Sequence, residues 1–146
     1  MQGFNEIEHK ADIGLEIFGE TLDQLFIQAI HGFYTILVPD IPLAHLKPSL
    51  KNVSLALKED SAEHALVALL NELNFRFTVK QKILLPVKFL QCSPGQPFVV
   101  NLTAGTLSPV PQEWLENSTE IKAVTYHNLH IEQNETGFST RIIFDV

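Results

Sequence analysis

The spacing of apolar residues switches between two periods along this chain, and the order of the switches limits the folds open to it. FNEIEH, residues 4–9, alternates apolar and polar and reads as a strand. ADIGLEIFG repeats the pattern, with Ile13, Leu15 and Ile17 on one face and Asp12, Gly14, Glu16 and Phe18 on the other. Beyond Gly19 the period becomes helical. Thr21 with Gln24 three residues on forms a capping-box pattern, and Leu22, Leu25, Phe26, Ala29, Ile30, Phe33, Tyr34 and Leu37 make an apolar stripe. Three prolines in VPDIPLAHLKP prevent its continuation. NVSLAL returns to alternation. A second helix then opens at Asp60 or Ser61, with Glu63 placed for a capping box and with Ala62, Ala65, Leu66, Leu69, Leu70 and Leu73 as its buried stripe. The rest reads as strands: KILLPVKFLQC, broken or bulged at Pro86, then PFVVNLTA, a surface loop LSPVPQEWLENS, a long strand EIKAVTYHNLHIEQ, a turn at NETG and a final strand GFSTRIIFDV. Two helices among strands in this order predict an α+β fold: one compact domain over residues 1–146, both helices packed on sheet, and 121–132 paired with 138–145 in a long C-terminal hairpin.

Composition narrows the function. With 45% hydrophobic and 18% charged residues among 146, the chain has the apolar material for a real core. No apolar run reaches membrane-spanning length, and MQGFNEIEHKAD carries acids where a secretion signal needs a basic head, so an intracellular, cytoplasmic protein is expected. The single cysteine, Cys92, excludes an internal disulfide, and the four Asn-x-Ser/Thr triplets at Asn52, Asn101, Asn117 and Asn134 are read as coincidental. A net charge of −7 disfavours strong direct binding to a phosphate backbone and favours divalent cations or a basic protein partner.

Few residues suggest chemistry. Asp12 stands at the start of one strand and Asp145 at the end of another, next to the carboxylate of Val146. Such acids are either solvated strand ends or oxygen ligands for a hard cation; spacing alone leaves both readings open. A zinc site from His9, His127 and His130 is disfavoured, because a spacing of three on a strand points His127 and His130 to opposite faces. Cys92 reads as a small buried hydrophobe, His45 and His64 as loop and helix-surface residues, and Lys122 as either a solvated strand lysine or an anion contact. No phosphate-binding glycine loop and no catalytic constellation are present.

These segments, in this order, resemble the archease family: EHKADIGL its opening motif, GETLDQLFIQAIHGF its first helix, LVALLNEL its second, EIKAVTYHNLHIE the long strand and RIIFDV the terminal motif. The resemblance spans essentially the whole chain, and KAVTYH and the terminal aspartate are its most specific parts. It implies a non-enzymatic accessory protein of the RtcB-type RNA ligase that promotes guanylylation and repeated turnover of the ligase in tRNA splicing and RNA repair. It also implies a divalent cation, Ca²⁺, Mg²⁺ or Mn²⁺, held by Asp12, Asp145 and a main-chain or terminal oxygen of Val146, with Lys122 as a partner-activation residue. The chain departs from the family pattern at Lys10 (commonly threonine), at Ala68 and Leu69 (commonly aspartate and tryptophan), at Ser61, where an acid usually opens the second helix, and in AGTLSPVP. An ammonium at Lys10 would compete with a cation. Two rival readings are a metal-binding chaperone or scaffold with a different client, and an enzyme using Asp12 and Asp145 as an acid–base pair.

Overall fold

The computed structural model describes residues 1–9, 12–46, 51–126 and 128–146, with Glu8 and His9 defined in the backbone only. Lys10 and His127 lie outside the described residues. Two antiparallel sheets and two long helices enclose one core. In the first sheet β1 (Gly3–His9), β2 (Asp12–Gly19) and β8 (Gly137–Asp145) lie side by side, and the short strands β6 (Ala123–Thr125) and β7 (Glu132–Asn134) both pair with the far edge of β8. In the second, β5 (Phe98–Gly105) is central between β3 (Asn52–Glu59) and β4 (Val87–Ser93).

Helix α1, Leu22–Leu37, begins where the capping pattern places it. Thr21 Oγ1 accepts the Gln24 N–H at 3.1 Å, and the Gln24 side chain reaches back to the Glu20 N–H at 2.9 Å. The first bond satisfies an orphan donor of the helix start, and the second ties down the residue before the cap. Its stripe of Leu25, Phe26, Ala29, Ile30, Phe33, Tyr34 and Leu37 is buried. Gly32 brings α1 down onto β2: a Cβ there would meet Leu15 Cδ2 at 2.6 Å. The Tyr34 hydroxyl is sunk in the core, where it accepts the Leu84 N–H at 3.0 Å; burial pushes its pKa well above the ordinary phenol value.

Helix α2, Ala62–Thr78, is capped by Ser61, whose Oγ accepts the His64 N–H at 3.1 Å. Glu63 does not close the expected box. Its carboxylate instead accepts the Ile131 N–H at 3.1 Å, from the stretch between β6 and β7. Ala65, Leu66, Leu69, Leu70 and Leu73 face the core as expected.

Three local expectations are refined. Residues 82–92 form strand only from Val87 onward; before Pro86 there is a single bridge, Ile83 to Leu107, and a register shift follows between Val87 and Phe89. The loop after β5 contains a short helix, α3 (Gln112–Glu116), started by Pro111. The long strand 120–133 is interrupted: it pairs with β8 at Ala123–Thr125 and again at Glu132–Asn134, and between them the ladder is broken, with the His130 carbonyl accepting from the Thr140 hydroxyl of β8 at 2.7 Å. Helix α2 supplies the reason. Asn71 Oδ1 accepts the Val124 N–H at 3.1 Å, and Asn74 Nδ2 donates to the Ile121 carbonyl at 2.8 Å, so helix side chains hold the outer edge of β6. The His64 ring packs against Tyr126, and Glu63 holds Ile131, which draws the segment toward the start of α2. The turn from β7 to β8 closes tightly at Gly137, whose φ of +138° and close approach to the Gly19 carbonyl both demand glycine.

Candidate metal centre

Alternation along β2 and β8 separates their side chains cleanly. Leu15, Ile17, Ile142 and Phe144 point inward and are buried. The intervening residues form an outer face, and the register sets them in rows. Gly14 pairs with both Ile7 and Ile143, Glu16 with Asn5 and Arg141, and Phe18 with Gly3 and Ser139.

The end row carries the predicted acids. Asp12 of β2 stands directly opposite Asp145 of β8, and the row continues in the backbone to His9 on β1 and Ala123 on β6. Directly opposed residues of antiparallel strands share a face, with Cα atoms about 4.5–5.5 Å apart. Residues 133 positions apart in sequence are thus immediate neighbours because β2 and β8 are adjacent strands. Two carboxylates at this spacing repel, and a counter-charge between them relieves the repulsion. Their oxygens suit a hard divalent cation. Val146 follows at once; its side chain packs against the core, which leaves its main chain as the group available to a cation. Among the described residues no set of three His, Cys, Asp or Glu side chains gathers as a metal cage, and this end of the sheet offers a cation two carboxylates and main chain. That set fits an open, partly hydrated site better than a closed one.

Lys122 donates its backbone N–H to the Asp145 carbonyl at 2.8 Å and has an exposed side chain. Ala123, not Lys122, shares the row with Asp145, so Lys122 touches this end of the sheet through its backbone and stands one position out of phase with the acids.

The other candidates take ordinary places. His130 is exposed, with Nδ1 3.7 Å from Glu63. The His64 Nδ1 lies 2.7 Å from Ser61 Oγ, and His45 lies in a single 3₁₀ turn, Leu43–His45. Cys92 is half-buried in β4; burial first, then the neighbouring Asp23 carboxylate, pushes its thiol up to about 12, the opposite of an activated nucleophile. Leu69 is a core residue and Ala68 a half-buried one. Sequence reasoning missed Asn71 and Asn74 as the residues that hold the β6 edge, and Glu63 as the acceptor for Ile131; the two asparagines three apart on α2 are the local sign of the first role.

Comparison with known proteins agrees with this architecture. A family model described as the archease protein family (MTH1598/TM1083) matches residues 4–146. Archease proteins of Methanosarcina mazei and Thermococcus kodakarensis are each 25% identical to this chain, over 98% and 94% of it and over 95% and 93% of their own lengths. The solution structure of protein 1598 of Methanobacterium thermoautotrophicum superposes with a TM-score of 0.77 at 20% identity, covering 99% of both chains. The crystal structure of an archease, described as a possible chaperone, from Thermotoga maritima gives 0.60 at 22% identity, covering 97% of this chain and 96% of that one. The strand order, the paired helices and a match running from residue 4 to residue 146 lead to one conclusion: the chain belongs to the archease family.

Proposed function

We propose that this protein is a non-catalytic accessory protein that activates an RtcB-type RNA ligase, promoting its guanylylation and repeated turnover in cytoplasmic tRNA splicing or RNA repair. The observation that carries the reading, beside family membership, is the register of β2 and β8, which sets Asp12 opposite Asp145 next to the Val146 main chain. In this proposal those three residues hold Ca²⁺, Mg²⁺ or Mn²⁺. The ion's chemistry would be neutralisation of charge developing on phosphate oxygens.

The chain's own contribution is placement. The rigid β2–β8 pair fixes both carboxylates on an exposed face that a ligase can approach, while the buried inner face of the same strands keeps the pair from shifting. Lys122, tied to Asp145 through its backbone, is the proposed partner-activation residue. Nothing in the site favours acid–base chemistry on a substrate of its own: no nucleophile stands beside the acids among the described residues.

The test is labelled GMP transfer to the cognate ligase over time, with this protein at less than one equivalent. The expected result is a faster transfer with the parent protein and none of that stimulation with Asp12→Ala or Asp145→Ala. An unchanged rate with the parent would discard the activator reading in favour of a scaffold or chaperone for another client.

A further inference from the structure

Charge is spread unevenly along this chain. Residues 73–112 hold four of its ten lysines and arginines and none of its seventeen acids, although the net charge is −7. Three exposed large apolar side chains, Phe75, Val79 and Phe89, fall in the same stretch. Two of them adjoin. Phe75 and Val79 are four apart at the end of α2, so they lie side by side on one helix face, 47% and 65% exposed.

Lysines border this pair. The Lys80 ammonium stands over the Phe75 ring, 5.7 Å from its centroid. Gln81, with φ +53°, turns the chain out of the helix, and the Arg76 carbonyl accepts the N–H of both Lys80 and Lys82, at 3.2 and 3.0 Å. The backbone beneath both lysines is thereby fixed. Neither lysine has an ion-pair partner among the described residues, whereas Arg76 is matched by Glu72 at 2.7 Å. Where α2 meets β6, Glu120 and Lys122 flank Ile121 in sequence and offset each other.

We infer that this end of α2 is a docking site for an acidic segment of a protein partner, whose apolar side chains cover Phe75 and Val79 and whose carboxylates meet Lys80 and Lys82. Charge complementarity sets the sign: a basic segment would bring like charges against both lysines. The number of cations decides against a polyanion, because a phosphate backbone is held by many such contacts and two ammonium groups on an acidic chain supply few. The size of the patch suits a short segment, since a stable interface between folded domains buries about 800 Å² on each partner. The site shares no residue with the candidate metal centre, and the inference rests on neither that cation nor ligase activation.

The test uses the full chain in EDTA, with no ligase present, and a capped Glu-Leu-Glu-Glu-Leu-Glu peptide against its Lys-Leu-Lys-Lys-Leu-Lys counterpart. Amide resonances are followed by NMR. The acidic peptide should shift Phe75, Val79, Lys80 and Lys82, and the basic one should not. Lys80→Gln combined with Lys82→Gln should weaken the acidic peptide about fivefold or more. Val79→Ser should weaken it about threefold or more, and both variants should keep a parent-like spectrum elsewhere. No shift, equal response to both peptides, shifts centred on Lys88 and Phe89, or parent-like binding by the lysine variant would overturn the assignment. Oligouridylate or anionic phosphatidylserine vesicles engaging the same residues more tightly than the peptide would also overturn it, making the patch a nucleic-acid or a membrane contact. Concentration-dependent shifts at these residues without peptide would assign the patch to a second copy of the chain instead. Because ligase and cation are absent, failure here leaves the activator reading standing, and failure of ligase stimulation leaves this one standing.

Discussion

The two faces of the β2–β8 pair share one backbone ladder and differ in almost everything else. Inside, Leu15, Ile17, Ile142 and Phe144 are 0–1% exposed and packed under α1. Outside, at the intervening positions, Asp12, Glu16 and Arg141 line a groove, and Asp145 stands opposite Asp12. The inner face supplies the burial that holds the strands in register; the outer face uses that register to place charges. A slip of one residue would exchange the two sets, which is why the apolar alternation and the polar site are specified together. Substitutions should therefore divide sharply by face, and this division can be broken.

The largest loss is expected inside. Phe144→Ala removes a fully buried ring that packs against Phe33 at a centroid distance of 6.1 Å. It should cost about 3–5 kcal/mol in denaturant unfolding. A loss below about 1 kcal/mol would mean that the inner face does not anchor the sheet.

A smaller effect is expected where α2 holds the edge of β6. Asn71→Ala leaves the Val124 N–H without its acceptor and should cost about 1–3 kcal/mol. Hydrogen exchange should show the loss concentrated in Ala123–Thr125 rather than spread over the sheet.

Acid should act through α1. Burial lowers the pKa of His31 below its ordinary 6.5, so the unfolded chain takes up the proton more readily than the folded one. His31 therefore favours the native state fully at neutral pH, and this contribution is lost as pH falls through 6.5 toward the lower folded value. The melting temperature should drop between pH 7.5 and 5.5, and His31→Gln should shrink that drop. An identical drop in the variant would assign acid sensitivity to other groups.

The smallest stability change is expected outside. Glu16 and Arg141 form an exposed pair, and Glu16→Gln should change unfolding free energy by no more than about 1 kcal/mol. A larger loss would show that the outer face also supports the fold.

How far the chain could be read in advance follows the same physics. The α+β class, both long helices and the Thr21–Gln24 cap were legible because each rests on local periodicity or a three-residue spacing. The pairing of Asp12 with Asp145 entered through family resemblance alone, since spacing along a chain carries no information on which strands become neighbours. The break in residues 120–133 was invisible for a different reason. Its alternation is strand-like throughout, and it is tertiary partners, Asn71, Asn74 and Glu63 on α2, that decide where the segment pairs with β8 and where the ladder breaks. The groove needed three strands in register and the stretch from β6 to β7 together, and no short stretch of sequence encodes that.

We propose that the outer face places Asp12 and Asp145 around a divalent cation. Calorimetric titration with Mn²⁺, Mg²⁺ and Ca²⁺ tests it most directly, on the parent, Asp12→Asn and Asp145→Asn, each checked for an unchanged melting temperature without metal. The parent should bind at least one ion and both variants should lose it; parent-like binding heats in Asp145→Asn would rule out the shared site.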